Sequence, residues 1–181
     1  MNSFKIIEQW ISDDAHRLKC LWAVKSTIEL EWYISAGFVR NLVWDKLQQK
    51  KESTPLNDID VIYFDPLSIS SEQDYEIERS LTKKMPTCNW SVKNQARMSF
   101  KHNHKLCKDC IDAMSYWPEI QTAVGVTITP EGCLSVASPF SASEVIRLAA
   151  TINKKCTTNV FLDRVLNKGW MKQWSRLQIE G

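Results

Sequence analysis

The chain has 181 residues, 44% of them apolar and 24% charged, with a formal charge of +2. That length suits a single domain over 1–181, and that apolar share predicts a packed core and excludes a disordered chain. The balanced charge gives no global attraction to nucleic acid.

No stretch is apolar enough to span a bilayer, and the start MNSFKIIEQWISDD lacks the basic-then-apolar pattern of a signal peptide. The cysteines at 20, 88, 107, 110, 133 and 156 are scattered and read as reduced thiols. The expected location is the cytoplasm, without membrane contact.

In chain order, residues 2–28 read as a helical hairpin: Phe4, Ile7, Trp10 and Ile11 share one period, Leu18, Leu21 and Trp22 the next. Ser12-Asp13-Asp14 supplies cap chemistry between them. A short strand at 32–35, a turn at Ala36-Gly37 and a helix over 38–47 follow, then a polar loop and a strand at 59–64 stopped by Pro66. A helix is expected over 72–84, a third strand over 89–98, a polar loop over 99–108 and a short helix from Asp109 to Met114. Residues 124–129 and 134–137 read as a hairpin around Pro130-Glu131-Gly132. Helices over 143–150 and 157–168 close the chain, the second stopped by Gly169. This order predicts an α+β fold with a small mixed sheet flanked by helices, and the N-terminal helices packed on it.

Two acids stand at the start of the apolar run NDIDVIYFD. Strand alternation aims Asp58 and Asp60 one way, and Ile59 and Val61 the other way, toward a core. Two like charges on one face favour a cation beside them, and Mg²⁺ prefers such oxygen ligands. The plainer reading is a pair of hydrated acids capping a turn. Upstream, Gly37 lies between a strand and a helix, where backbone approaches a phosphate closely and free N–H groups face it. Tight-turn geometry explains the same glycine.

The stretches AGFVRNLVWDKL and TPLNDIDVIYFD resemble the nucleotidyltransferase superfamily that includes DNA polymerase β and the CCA-adding enzymes. VKNQARM, DAMSYWPE, AVGV, SPF and RVLNKGWMKQWSRL resemble, more closely, a little-characterised bacterial family of nucleotidyltransferase-like proteins. The likeness runs from about residue 30 to the end. It implies transfer of a nucleotidyl group from an NTP to a hydroxyl on a small molecule, RNA or protein, with two Mg²⁺ ions if the chain is active. By position it makes Asp58 and Asp60 catalytic metal ligands and brings Gly37 to the triphosphate. Arg40 either binds phosphate or pairs with an acid inside the fold.

Two departures stand out. Phe38 replaces a small or hydroxyl residue of the glycine motif. The strand expected over 89–98 carries no acid where the superfamily has its third carboxylate, and Asp65 lies roughly 17 Å from Asp60 along an extended strand. If the polar face of that strand is the pocket side, Lys93, Gln95 and Arg97 meet the triphosphate and Asn94 is structural. A catalytically degenerate nucleotide- or protein-binding member is the alternative to an enzyme.

Elsewhere, His102-x-His104-x-x-Cys107-x-x-Cys110 has zinc-ligand residue types, but its spacing is short for a zinc pair, and it reads as polar loop. A zinc-stabilised interaction module is the reading that would use it. Asp112 and Glu119 either bind substrate or brace their loop. Trp170 and Trp174 share a helix face and read as core, while Lys168, Lys172 and Arg176 read as a solvated face.

Overall fold

The computed structural model describes residues 4–101 and 106–181. Helices α1 (Lys5–Ser12) and α2 (Ala15–Lys25) open the chain. Asp14 separates them and accepts a 2.9 Å bond from the Arg17 amide, satisfying a donor that a helix start leaves open. Strand β1 (Trp32–Ser35), helix α3 (Gly37–Gln48), strand β2 (Ile59–Tyr63), helix α4 (Glu72–Lys84) and strand β3 (Trp90–Asn94) follow. Next come α5 (Gln95–Lys101), α6 (Cys110–Met114), a 3₁₀ turn at Ile120–Thr122, and the hairpin β4 (Gly125–Ile128) and β5 (Leu134–Ala137). The chain closes with α7 (Ala142–Val145), β6 (Ala149–Thr151), α8 (Thr158–Lys168), α9 (Trp170–Gln173) and β7 (Gln178–Glu180).

The main sheet has five strands in the order β3-β2-β1-β4-β5. β2 and β3 run parallel, joined by the α4 crossover, and the other neighbours are antiparallel. The α+β class is therefore the observed one. On β2, Ile59, Val61 and Tyr63 point into a core cluster shared with Ile7, Leu21, Val39 and Leu81 of the first four helices. Ile62 points the other way, into a smaller cluster with Cys110, Met114 and Ala123. Period-two alternation thus separates a helix-covered face from a second face that is only partly roofed.

Two expected elements are corrected. The strand over 89–98 ends at Asn94, and residues 95–101 are helical rather than strand and loop. The cause is the Asn94 side chain: its Oδ1 accepts the Ala96 amide at 3.0 Å and caps the helix that begins at Gln95. The expected helix over 143–150 is a single turn at 142–145, followed by β6 pairing in parallel with β7. Helix-forming alanines there yield to the ladder that the last residues of the chain offer.

The C-terminal segment is anchored behind α3. Trp44 meets Trp170 and Trp174 edge-on, at centroid distances of 5.4 and 5.0 Å. Buried Asp45 accepts the Trp174 indole N–H at 2.8 Å, together with the amide and hydroxyl of Thr54. Trp170 and Trp174 are core, and Lys168, Lys172 and Arg176 are exposed. No helix among the described residues is long and apolar enough to cross a membrane.

Candidate functional site

A cavity of about 700 Å³ lies over the open face of the main sheet. Its floor includes Ala36, Asp60, Ser91 and Lys93, and its opposite wall comes from Tyr116, Trp117, Lys155 and Arg164. The size suits a nucleotide-sized ligand.

Asp60 is paired in register with Ser35 of β1 and Ser91 of β3, so small side chains flank it on both sides. Its carboxyl is held above the usual carboxylate range, first by burial and then by the charge of Asp58. The Ser91 hydroxyl, Lys168 and Arg40 oppose that rise. Asp58 is half-buried, just ahead of β2. The Asp58 charge makes that of Asp60 costlier, and a cation beside them relieves it. No third Asp, Glu, His or Cys among the described residues joins them at metal-ligand spacing.

The β1–α3 turn holds its strain at Ala36, with φ 55° and ψ −123°, a conformation that disfavours side chains. Gly37 has no positive φ, and a Cβ built on it would come no nearer than 3.4 Å to a neighbour, the Arg40 Nη2. Nothing inside the protein therefore requires glycine at 37.

The remaining candidate residues divide. Lys93 and Gln95 line the cavity, with the Lys93 Nζ donating to the Val92 carbonyl at 2.9 Å and the Gln95 amide to the Lys93 carbonyl at 3.2 Å. Arg97 is ion-paired with buried Asp74. Arg40 is buried, donates to Thr122 and Asn41 at 2.9 Å each, and stacks over Trp44 and Trp170. Burial lowers its guanidinium to about 10, partly offset by Glu119, so it stays charged at neutral pH. Asn94 is fully buried, and its amide donates to the carbonyls of Asp65 and Ser68.

Glu119 is buried and braced by Arg164 at 2.5 Å, and the Asp112 carboxylate accepts the Lys108 amide. His102 and His104 lie outside the described residues. Cys107 lines the cavity, and Cys110 is buried, with its amide bonded to Glu31. Sequence reasoning did not single out Tyr116, Lys155 or Arg164 as cavity residues. Two of them stand inside stretches that carried the resemblance, DAMSYWPE and RVLNKGWMKQWSRL.

A family model described as nucleotidyltransferase matches residues 24–179. The chain belongs to this nucleotidyltransferase family. As a nucleotidyltransferase-family fold it is also similar to a solved structure, an NMR structure described as revealing a CCA-adding enzyme head domain. The TM-score is 0.82 at 25% sequence identity, over 97% of this chain and 94% of that one. No curated protein matches.

Proposed function

We propose that this nucleotidyltransferase-family chain binds an NTP with Mg²⁺ in the cavity over Asp60 and transfers its nucleotidyl group to a hydroxyl acceptor. Family membership and the head-domain fold support nucleotidyl transfer as the class of reaction. The observation that carries the site is the placement of Asp60 on the cavity floor, with Asp58 close enough to oppose its ionisation. That donor set fits a hard cation: two carboxylates, with phosphate oxygens and water left to complete the shell. When bound, the ion would polarise the phosphates and neutralise the departing pyrophosphate.

The chain's own residues account for the rest of the pocket. Lys93 and Lys155 bring positive charge to the walls, where a triphosphate would be received, while the charge of Arg164 is paired with Glu119. Trp117 presents a ring surface for a base, while the Tyr116 ring holds the Lys155 ammonium 4.0 Å from its centroid. Strained Ala36 lines the cavity at the start of α3, and a phosphate received there would meet the free N–H groups of that helix end. In the transfer, an acceptor oxygen bonds to the α-phosphorus as the bond to pyrophosphate breaks, and the acceptor proton passes to solvent. We take the N-terminal helices as part of the same domain. The cytoplasmic location we propose accords with cysteines that form no disulfide among the described residues.

A second reading is favoured by one observation: nothing among the described residues supplies a third ligand to Asp58 and Asp60. On that reading the chain binds nucleotide without turnover. Titration calorimetry with each NTP, with and without Mg²⁺, tests the shared claim. Replacing both acids (D58A/D60A) is expected to weaken Mg²⁺-dependent binding at least about tenfold, or about 1.4 kcal/mol. Unchanged binding in that variant would refute the first reading. Transfer of α-labelled nucleotide to an acceptor then separates the enzyme from the binder.

A further inference from the structure

We propose that His16, Cys20 and Cys88 form a site for a thiolate-preferring divalent cation, Zn²⁺ being the probe of choice, which clips the N-terminal hairpin to the main sheet. One ligand atom from each residue lies within 4.8 Å of the other two. The His16 Nε2 is 3.8 Å from the Cys20 Sγ. Tetrahedral zinc, with metal–sulfur bonds near 2.3 Å and metal–nitrogen bonds near 2.0 Å, sets its ligands about 3.5–3.8 Å apart, so little motion is needed to close the set.

Local structure explains why these three meet. His16 and Cys20 are four residues apart on α2 and so share one face. Cys88 comes from the short link between α4 and β3, fixed by its amide bond to the Met85 carbonyl at 3.1 Å. Cys20 is fully buried and Cys88 is 8% exposed, whereas His16 is exposed at the rim. A dication with two thiolates and a neutral imidazole carries no net charge, which lets the cluster remain buried. The rim position of His16 leaves an entry path and room for a water as the fourth ligand. Burial and the neighbouring Cys88 thiol push the Cys20 thiol up to about 12, against a smaller pull from the Arg17 guanidinium, so the cation must displace the thiol protons as it binds.

The clip would join two parts of the chain that are distant in sequence. α2 belongs to the N-terminal hairpin, and Cys88 leads directly into β3, whose Ser91 and Lys93 line the cavity. This cluster is separate from the His102–Cys110 run and from Asp58 and Asp60. It stands or falls independently of nucleotide binding.

The test uses the full chain, stripped with chelator and titrated with Zn²⁺, with Co²⁺ as a spectroscopic probe. The expected result is one metal per chain, a thiolate-to-cobalt charge-transfer band, and a higher melting temperature with zinc. His16→Ala, at an exposed position, is expected to weaken binding at least about tenfold without loss of fold. Cys88→Ser is expected to abolish the band, and Cys107→Ser/Cys110→Ser to leave it intact. Should Cys88→Ser fail to fold, His16→Ala alone decides the question. Absence of metal binding in the parent overturns the proposal, and so does equal binding in His16→Ala.

Discussion

At Asp60, burial and the charge of Asp58 both oppose ionisation in the folded chain. A carboxyl whose folded pKa is raised adds stability below its unfolded value, and that stability is lost as pH rises through the folded value. Without metal or nucleotide, the ionised group therefore costs stability at neutral pH. Asp60→Asn keeps an acceptor for Ser91 and removes the charge. It is expected to make the metal-free protein more stable than the parent at neutral pH, with the gap closing in acid. Urea denaturation in chelator at several pH values checks this. Gly37 carries a separate expectation. Because a Cβ fits there at ordinary contact distance, Gly37→Ala should change stability by less than about 1 kcal/mol. On the proposed approach of a phosphate to the β1–α3 turn, the same variant should weaken NTP binding. Calorimetry and thermal melting on one preparation separate the two effects.

Among the elements, the junction of β3 and α5 shows how one side chain ends a strand. The Asn94 Oδ1 accepts the amides of Asp65 and Ala96 at 3.1 and 3.0 Å, and its Nδ2 donates to the carbonyls of Asp65 and Ser68. Asn94→Ala leaves those groups buried without partners and is expected to cost about 2–4 kcal/mol, read by urea denaturation. Here the limits of the sequence become specific. Alternation in NDIDVIYFD placed Ile59 and Val61 in the core, because a strand covered on one face leaves period two in plain view. The helix after Asn94 had a signal, an Asn before Gln-Ala-Arg-Met, but apolar residues at alternate positions across 90–98 mimicked a strand. That misreading put Gln95 and Arg97 on the face of Lys93; Gln95 reaches the cavity by another route, and Arg97 turns to Asp74. β6 had no local signal, because its partner is the last stretch of the chain, about thirty residues further on.

Across the whole molecule, the cavity is closed by residues far from the acids in sequence. Glu119 is 1% exposed, and Arg164 of α8 neutralises it while lining the cavity wall. Removing Arg164 leaves the buried carboxylate with only the charge of Arg40 near it, so Arg164→Met is expected to cost about 1–3 kcal/mol. A Glu119→Gln/Arg164→Met pair should recover part of that loss, because no buried carboxylate is stranded, although buried Arg40 then loses the compensating charge of Glu119. A double-mutant cycle by chemical denaturation measures the coupling. The pairing of residues 119 and 164 had no sequence signature, since no local pattern reports which distant acid an arginine meets.

The cluster of Trp44, Trp170 and Trp174 has a further consequence. Edge-to-face indoles at these distances are expected to couple through their electronic transitions, so near-ultraviolet circular dichroism should lose amplitude when the C-terminal segment comes away from α3. That segment holds α8, and α8 holds one wall of the cavity. The protein thus contains a built-in optical reporter, behind α3, of whether the roof over Asp60 is in place.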